Sequence, residues 1–174
     1  MLRFAIVGSG PSGCYAASAL LRTFPSSKID VIDALPTPFG LIRYGVAPDH
    51  LHAKNVTNQF SSLFDKNASV LRWYGNIRVG HDVLLSELQR IYSAVILATG
   101  ASSERTLNST SGNGGSHIKG ILNARDFVAW YNGHPLYSKE RLGIDLKRVE
   151  SVGIIGNGNV AIDVARILVK DTNE

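Results

Sequence analysis

An α/β fold with a parallel sheet is predicted for this 174-residue chain by three observations. Short apolar runs bounded by glycine alternate with segments of helical periodicity, the order from which parallel sheets are built. Glycine-rich turns stand directly after two of those runs, at Gly8 and Gly156, and each opens a helix-like segment. Finally, 44% hydrophobic against 18% charged residues supplies a packed core and leaves too little charge for disorder. At roughly 150 residues per domain, the length allows one domain and a remainder.

Leu2–Val7 is a short run with β-branched Ile6 and Val7, bounded by Gly8, and reads as a buried strand. From about Pro11 to Phe24, Tyr15, Ala19 and Arg22 share one helical face, and Pro25 stops the helix. Ile29–Asp33 is the next strand. The Pro/Gly-rich segment Pro36–Pro48 fits neither periodicity. Val56, Phe60, Leu63 and Phe64 repeat at helical spacing. Residues 70–79 alternate loosely around a turn at Gly75–Asn76, and Leu84, Leu85, Leu88 and Ile91 mark a short helix. Ala94–Ala98 is expected as a third buried strand. Ser102–Ser116, rich in Ser, Asn and Gly, reads as an exposed loop. A helix near Asn123–Tyr131 follows, then a fourth strand at Val152–Ile155 and a helix from about Asn159 to Val169. In that helix Val160, Val164, Ile167 and Leu168 form a face expected to pack on a parallel sheet.

Composition excludes several functions. Eighteen Lys+Arg against fourteen Asp+Glu give +4, but the basic residues are scattered and point to no nucleic-acid partner. One cysteine, Cys14, leaves no disulfide framework, no CxxC redox pair and no cysteine-ligated metal. Redox chemistry would therefore need a bound cofactor. No apolar run approaches the ~18 residues of a membrane span, and Phe4–Val7 is cut short by Gly8 before it could act as a signal peptide.

Gly8-Ser9-Gly10-Pro11-Ser12-Gly13 fits G-x-G-x-x-G between a strand and a helix. Gly8 permits the tight turn, Gly10 lets a pyrophosphate approach the backbone, and Gly13 allows close helix–strand packing. The phosphate would rest on free N–H groups at the helix start. Asp33 ends the second strand 20 residues after Gly13, where an acid meets ribose hydroxyls. The plainer reading of Asp33 is a solvated strand-end carboxylate. Gly156-Asn157-Gly158-Asn159-Val160-Ala161 repeats the pattern, with alanine third; its plainer reading is a helix entered through a Gly/Asn turn. Two such motifs suggest two dinucleotides, the pair needed when a flavin takes hydride from a nicotinamide. Gly112-Asn113-Gly114-Gly115 is rejected, since no strand precedes it.

Pro38–His50 (PFGLIRYGVAPDH), followed by Lys54-Asn55-Val56, closely resembles the adrenodoxin reductase family, the mitochondrial-type ferredoxin–NADP reductases. Phe127–Gly133 (FVAWYNG) and Gly156–Arg166 (GNGNVAIDVAR) match the same family in the same order. The resemblance implies a Rossmann-like, three-layer FAD/NAD(P)-binding fold, with an FAD half over 1–101 and the start of an NADP-binding domain over 102–174. It implies FAD in the first site, NADP(H) in the second, and a small [2Fe–2S] ferredoxin or adrenodoxin as electron acceptor. By the same resemblance Ser12 lies at the FAD pyrophosphate and Asp33 at the adenosine ribose, where the family usually has Ala and Glu. Leu41 and Val83 match positions against FAD through the backbone. Asn157, Gly158, Asn159 and Val160 match the stretch that cradles the NADP phosphates. His50 and Asp163 match a supporting pair near the flavin–nicotinamide junction; their plainer readings are a cap for the next helix and an exposed helix position.

The loop Asn108–His117 is longer than the family's usual linker. The strand whose tip chooses NADP or NAD is expected at about residue 181, beyond Glu174, so the chain reads as an N-terminal fragment. The resemblance points to a mitochondrial matrix protein without a visible presequence; a bacterial cytoplasmic protein is the alternative. A disulfide reductase or a glutamate-synthase-like subunit would need more cysteines. A flavin monooxygenase and a non-catalytic dinucleotide-binding module stay open as rivals.

Overall fold

The computed structural model describes residues 1–101, 120–138, 142–143 and 145–170. They fall into two units, Met1–Val46 with His50–Ser102, and Ala47–Asp49 with Ser103–Glu174.

The first unit is built on a sheet of four parallel strands, β1 (Arg3–Val7), β2 (Lys28–Ile32), β3 (Leu71–Tyr74) and β4 (Ala94–Leu97), in the order β3-β2-β1-β4. Helix α1 (Pro11–Thr23) joins β1 to β2. Between β2 and β3 lie α2 (Gly40–Tyr44), α3 (Leu51–Lys54) and α4 (Val56–Lys66), and α5 (Leu85–Ile91) precedes β4. Side chains alternate across the strands, so each face collects its own set. Phe4, Ile6, Ile29, Val31 and Leu71 meet Ala17, Leu20 and Leu21 of α1 and Leu63 and Phe64 of α4. On the opposite face, Val7 and Ile32 meet Leu88 of α5 with Val83, Tyr92 and Val95. Covering both faces with helices is what lets parallel strands be apolar throughout. Within this unit the result is the three-layer α/β arrangement expected.

One charge interrupts that core. Asp30, 1% exposed in mid-β2, sits opposite Arg72 of β3 in register. Arg72 donates from Nε to Oδ1 at 2.8 Å and from Nη2 to Oδ2 at 3.1 Å, and the Tyr92 hydroxyl donates to Oδ2 at 2.8 Å. Burial first, then the bond to Asp30, pushes the Tyr92 phenol up to about 12.

In the second unit, α6 (Ala124–Tyr131) and α7 (Asn159–Val169) pack through Phe127, Val128 and Val164, with Leu122, Trp130 and Leu168 at the margin. A 3-10 turn at Leu146–Arg148 is capped by the Asp145 side chain. Among the described residues no helix is long and apolar enough to cross a membrane.

Several expectations need correction. Residues 152–155 are not a strand, and Val152 and Ile155 are 52% and 82% exposed. A strand exists only by pairing its backbone groups, and no neighbour among the described residues pairs with this segment. Val164 and Leu168 consequently pack on α6 instead of on a sheet, and Val160 is exposed. Ala94–Ala98 is expected as a buried strand, yet among the described residues β4 is at the sheet edge with Leu97 61% exposed. Within 70–79 only Leu71–Tyr74 is strand, and Pro36–Pro48 contains the short helix α2. The proposed loop Ser102–Ser116 and the rejected Gly112–Gly115 motif lie outside the described residues.

Cys14 is wholly enclosed with Phe39, Ile42 and Phe60. Burial, and then the Asp33 carboxylate, pushes its thiol up to about 12. The unfolded chain gives up that proton near ~8.5, so stability is full below that pH and falls as pH rises toward 12, by about 1.4 kcal/mol per unit. Urea unfolding of the protein at pH 8, 9 and 10 should show this decline. In Cys14→Ala the decline should flatten; an unchanged slope would assign it to other groups.

Candidate functional site

The site grows from the turn between β1 and α1. At its start the Gly8 N–H donates to the Ile32 carbonyl at 2.7 Å, and φ is 106°, a conformation that side chains rarely adopt. A Cβ at Gly8 would collide with the Ala98 carbonyl just after β4. At Gly13 it would collide with the Gly8 carbonyl oxygen and come within 3.3 Å of Ile6 Cγ2. The first turn of α1 is therefore pressed onto the end of β1.

Gly10 is different. It is the N-cap of α1 with φ −68°, and a Cβ there meets nothing within 4 Å. No side chain caps the helix, Pro11 occupies its first turn, and no acid lies there. The first hydrogen bond into α1 runs from the Cys14 N–H to the Gly10 carbonyl at 3.0 Å. The N–H groups of Ser12 and Gly13 thus stand ahead of the intrahelical ladder, next to open space and at the positive end of the helix dipole. That is a fitting cradle for a phosphate. Ser12 itself is exposed beside it.

Asp33 follows β2 directly and leans onto the same turn. Its Oδ2 accepts from the Ser9 N–H at 2.7 Å and the Ser9 hydroxyl at 2.5 Å, and its Oδ1 accepts from the Leu35 N–H at 2.9 Å. A merely solvated strand-end carboxylate would not make these bonds. Ser9, wholly buried, also accepts at its carbonyl from Phe39 N–H at 3.0 Å and from the Cys14 thiol at 3.3 Å. Phe39 is held at φ 82°, unusual for a bulky residue, and leads into α2.

The remaining residues with expected roles are spread around these two loops. Leu41 is on α2 with its side chain 69% exposed and its carbonyl accepting from Gly45 and Val46 N–H. Val83 is partly buried against α5, and its carbonyl accepts from Gly80 N–H at 2.7 Å. His50 is the N-cap residue of α3 in the first unit, without a side-chain cap bond. In the second unit Gly156 has φ 130°, and Gly158 caps α7 with no side-chain cap and no acid in the first turn. Asn157, Gly158, Asn159 and Val160 are exposed there. This second loop has the helix half of a phosphate site, but not the strand half among the described residues. Asp163 is 21% exposed and accepts from Arg166 Nη2 at 2.9 Å, so it is not the exposed helix position of the plainer reading. Arg166 also grips Asp49, at 2.6 and 3.0 Å.

Ser9, Asp49 and Arg166 were not expected in these roles. Ser9 occupies a variable position of its motif, and Asp49 and Arg166 are 117 residues apart, so no local periodicity marks either. A separate groove of about 440 Å³ is lined by Phe39, Phe64 and Trp73 together with Arg43, Ser61 and Asp65. Among the described residues no group of His, Cys, Asp or Glu could hold a metal.

A family model described as pyridine nucleotide-disulphide oxidoreductase matches residues 2–172. The mitochondrial NADPH:adrenodoxin oxidoreductase of Arabidopsis thaliana is 49% identical over 99% of this chain and 34% of its own length. The NADPH-ferredoxin reductase FprA of Mycobacterium tuberculosis is 45% identical over 96% of this chain and 36% of its own. A solved structure of M. tuberculosis FprA in complex with NADPH superposes with TM-score 0.84 at 42% identity, covering 99% of this chain and 37% of that one. The chain thus spans about a third of the length of the relatives it matches.

The two glycines of the first turn should respond differently to alanine. Helix propensity alone favours Gly13→Ala by about 1 kcal/mol, but the collision with the Gly8 carbonyl should reverse the sign and destabilise by about 1–3 kcal/mol. Gly10→Ala should stay within about 1 kcal/mol of wild type. Denaturation midpoints of the two variants decide; a stabilised Gly13→Ala would mean that α1 does not press on β1.

Proposed function

The chain belongs to the pyridine nucleotide-disulphide oxidoreductase family, and from that premise we propose that it carries the nucleotide sites of an NADPH–ferredoxin reductase of the adrenodoxin reductase type. FAD would occupy the first loop and NADP(H) the second. Residues 1–101 would form the FAD-binding part and 102–174 the beginning of the NADP-binding domain. The observation that carries this reading is the open, uncapped start of α1 at Gly10, with the Asp33 carboxylate fixed beside it.

In this reading Ser12 and Gly13 N–H groups hold the FAD pyrophosphate, and the missing Cβ at Gly10 gives it room. Asp33 accepts from the adenosine ribose. Leu41 and Val83 line the cofactor through backbone groups, since their side chains cannot hydrogen-bond. Asn157, Gly158, Asn159 and Val160 cradle the NADP phosphates at the start of α7. Arg166 keeps Asp163 in place for its supporting role, and His50, at the start of α3, would take a supporting role of its own. A flavin held there would supply the exchange between hydride chemistry with NADPH and single-electron transfer to a small [2Fe–2S] ferredoxin or adrenodoxin. The chain's own residues supply position and field, and none is required as acid, base or nucleophile. Relatives named mitochondrial and relatives from mycobacteria match with similar identity, so the reading concerns the chemistry, not one compartment.

A second reading, nucleotide binding without turnover by residues 1–174 alone, is favoured by one observation. Residues 152–155 do not pair as a strand ahead of the second loop, so that site is half built.

A flavin absorbance spectrum with and without NADPH tests the proposal: a bound flavin that bleaches on NADPH addition is expected. Gly10→Val should fold, because the position is open, and lose its flavin, because the two added methyls would fill the pyrophosphate's place. Stoichiometric flavin in the folded variant would remove FAD from the first loop.

A further inference from the structure

We infer that Ser9 is the positioning residue of the first nucleotide site, leaving Asp33 a single acceptor position for one hydroxyl of the adenosine ribose. The inference rests on the FAD reading of that site.

An ionised carboxylate offers about four acceptor positions. At Asp33 three are taken by the protein: two on Oδ2, by the Ser9 N–H and hydroxyl, and one on Oδ1, by the Leu35 N–H. Oδ2 is saturated, so any bond to a ligand must go to Oδ1. The two bonds from one residue to one oxygen also fix the carboxylate plane, and the Leu35 bond prevents it from turning. Ser9 has no freedom of its own. It is wholly buried, and its carbonyl is tied to Phe39 and Cys14. Its side chain can act on a ligand only through Asp33.

A carboxylate held this way needs no reordering when a nucleotide arrives, which is how preorganisation raises affinity. It also sets a count. A free strand-end carboxylate could accept from both vicinal ribose hydroxyls, one per oxygen. The carboxylate seen here can accept from only one. Asp33 is followed by Asn76 and Ile77 N–H bonds to the Leu35 and Asp33 carbonyls, so the backbone behind it is likewise committed. Ser9 is thus a specificity device for which sugar hydroxyl is read.

The test is a titration of the whole protein, stripped of flavin, with FAD and with two FAD analogues whose adenosine lacks the 2′- or the 3′-hydroxyl, followed by flavin fluorescence. For wild type, one analogue should bind at least about tenfold more weakly than FAD and the other within about twofold, the tenfold being what one charge-assisted hydrogen bond supplies. Equal losses for both analogues, or none for either, overturn the single-acceptor count without any variant. In Ser9→Ala, FAD affinity should fall about tenfold and the discrimination between analogues should shrink to within about twofold. Full discrimination in Ser9→Ala, or equal weakening toward FAD and both analogues, would reduce Ser9 to a structural residue. Ser9→Thr, which restores the hydroxyl, should restore the discrimination. Absence of FAD binding by wild-type protein would instead strike the FAD reading itself.

Discussion

The close approach of α1 to β1 is the constraint on which the rest of the first unit depends. A Cβ built on Gly13 would overlap the Gly8 carbonyl, so any side chain there would wedge the two apart. With that contact in place, the start of α1 points over the end of β1, and Ala17 and Leu20 fall onto Phe4 and Ile6. The same contact leaves Gly10 at the rim, facing open space. A packing requirement at Gly13 and an open rim at Gly10 are therefore produced by one turn.

Two carboxylates on or after β2 show how differently the same group can be used. Asp30 is enclosed and paired with a bidentate arginine and a phenol, which satisfies a charge that burial would otherwise penalise. Asp33, three residues on, has left the sheet and binds backbone and hydroxyl donors instead of a cation. Strand alternation already assigns positions 30 and 33 to opposite faces, and the end of β2 at Ile32 then frees Asp33 to turn onto the loop.

Much of the first unit was legible because its signals are local. A run of β-branched residues, a glycine at a turn and a proline at a helix end act within a few residues, and β1, α1 and β2 fall where those signals lie. The helical spacing of Val56, Phe60 and Phe64 likewise marks α4. Where a signal needs a distant partner, sequence patterning is silent or misleading. Val152–Ile155 has strand composition but no pairing neighbour among the described residues, and β4 has interior composition at an edge. The Asp33 position could be read from its distance to the glycine turn, but not its attachment to Ser9, because the second position of G-x-G carries no pattern. The Arg166 clasp on Asp49 joins residues far apart along the chain and leaves no periodic trace.

The strand order has a further consequence for how the protein is made. β1 lies between β2, its near neighbour in sequence, and β4, whose preceding Ser93 accepts a bond from Arg3 across 90 residues. At about 5–20 residues per second on the ribosome, β1 and β2 can pair about 3–13 s before β4 emerges. Throughout that interval one edge of β1 is an open row of peptide groups, of the kind that recruits foreign strands. That edge closes only when β4 pairs along β1, so the strand made last completes the one made first.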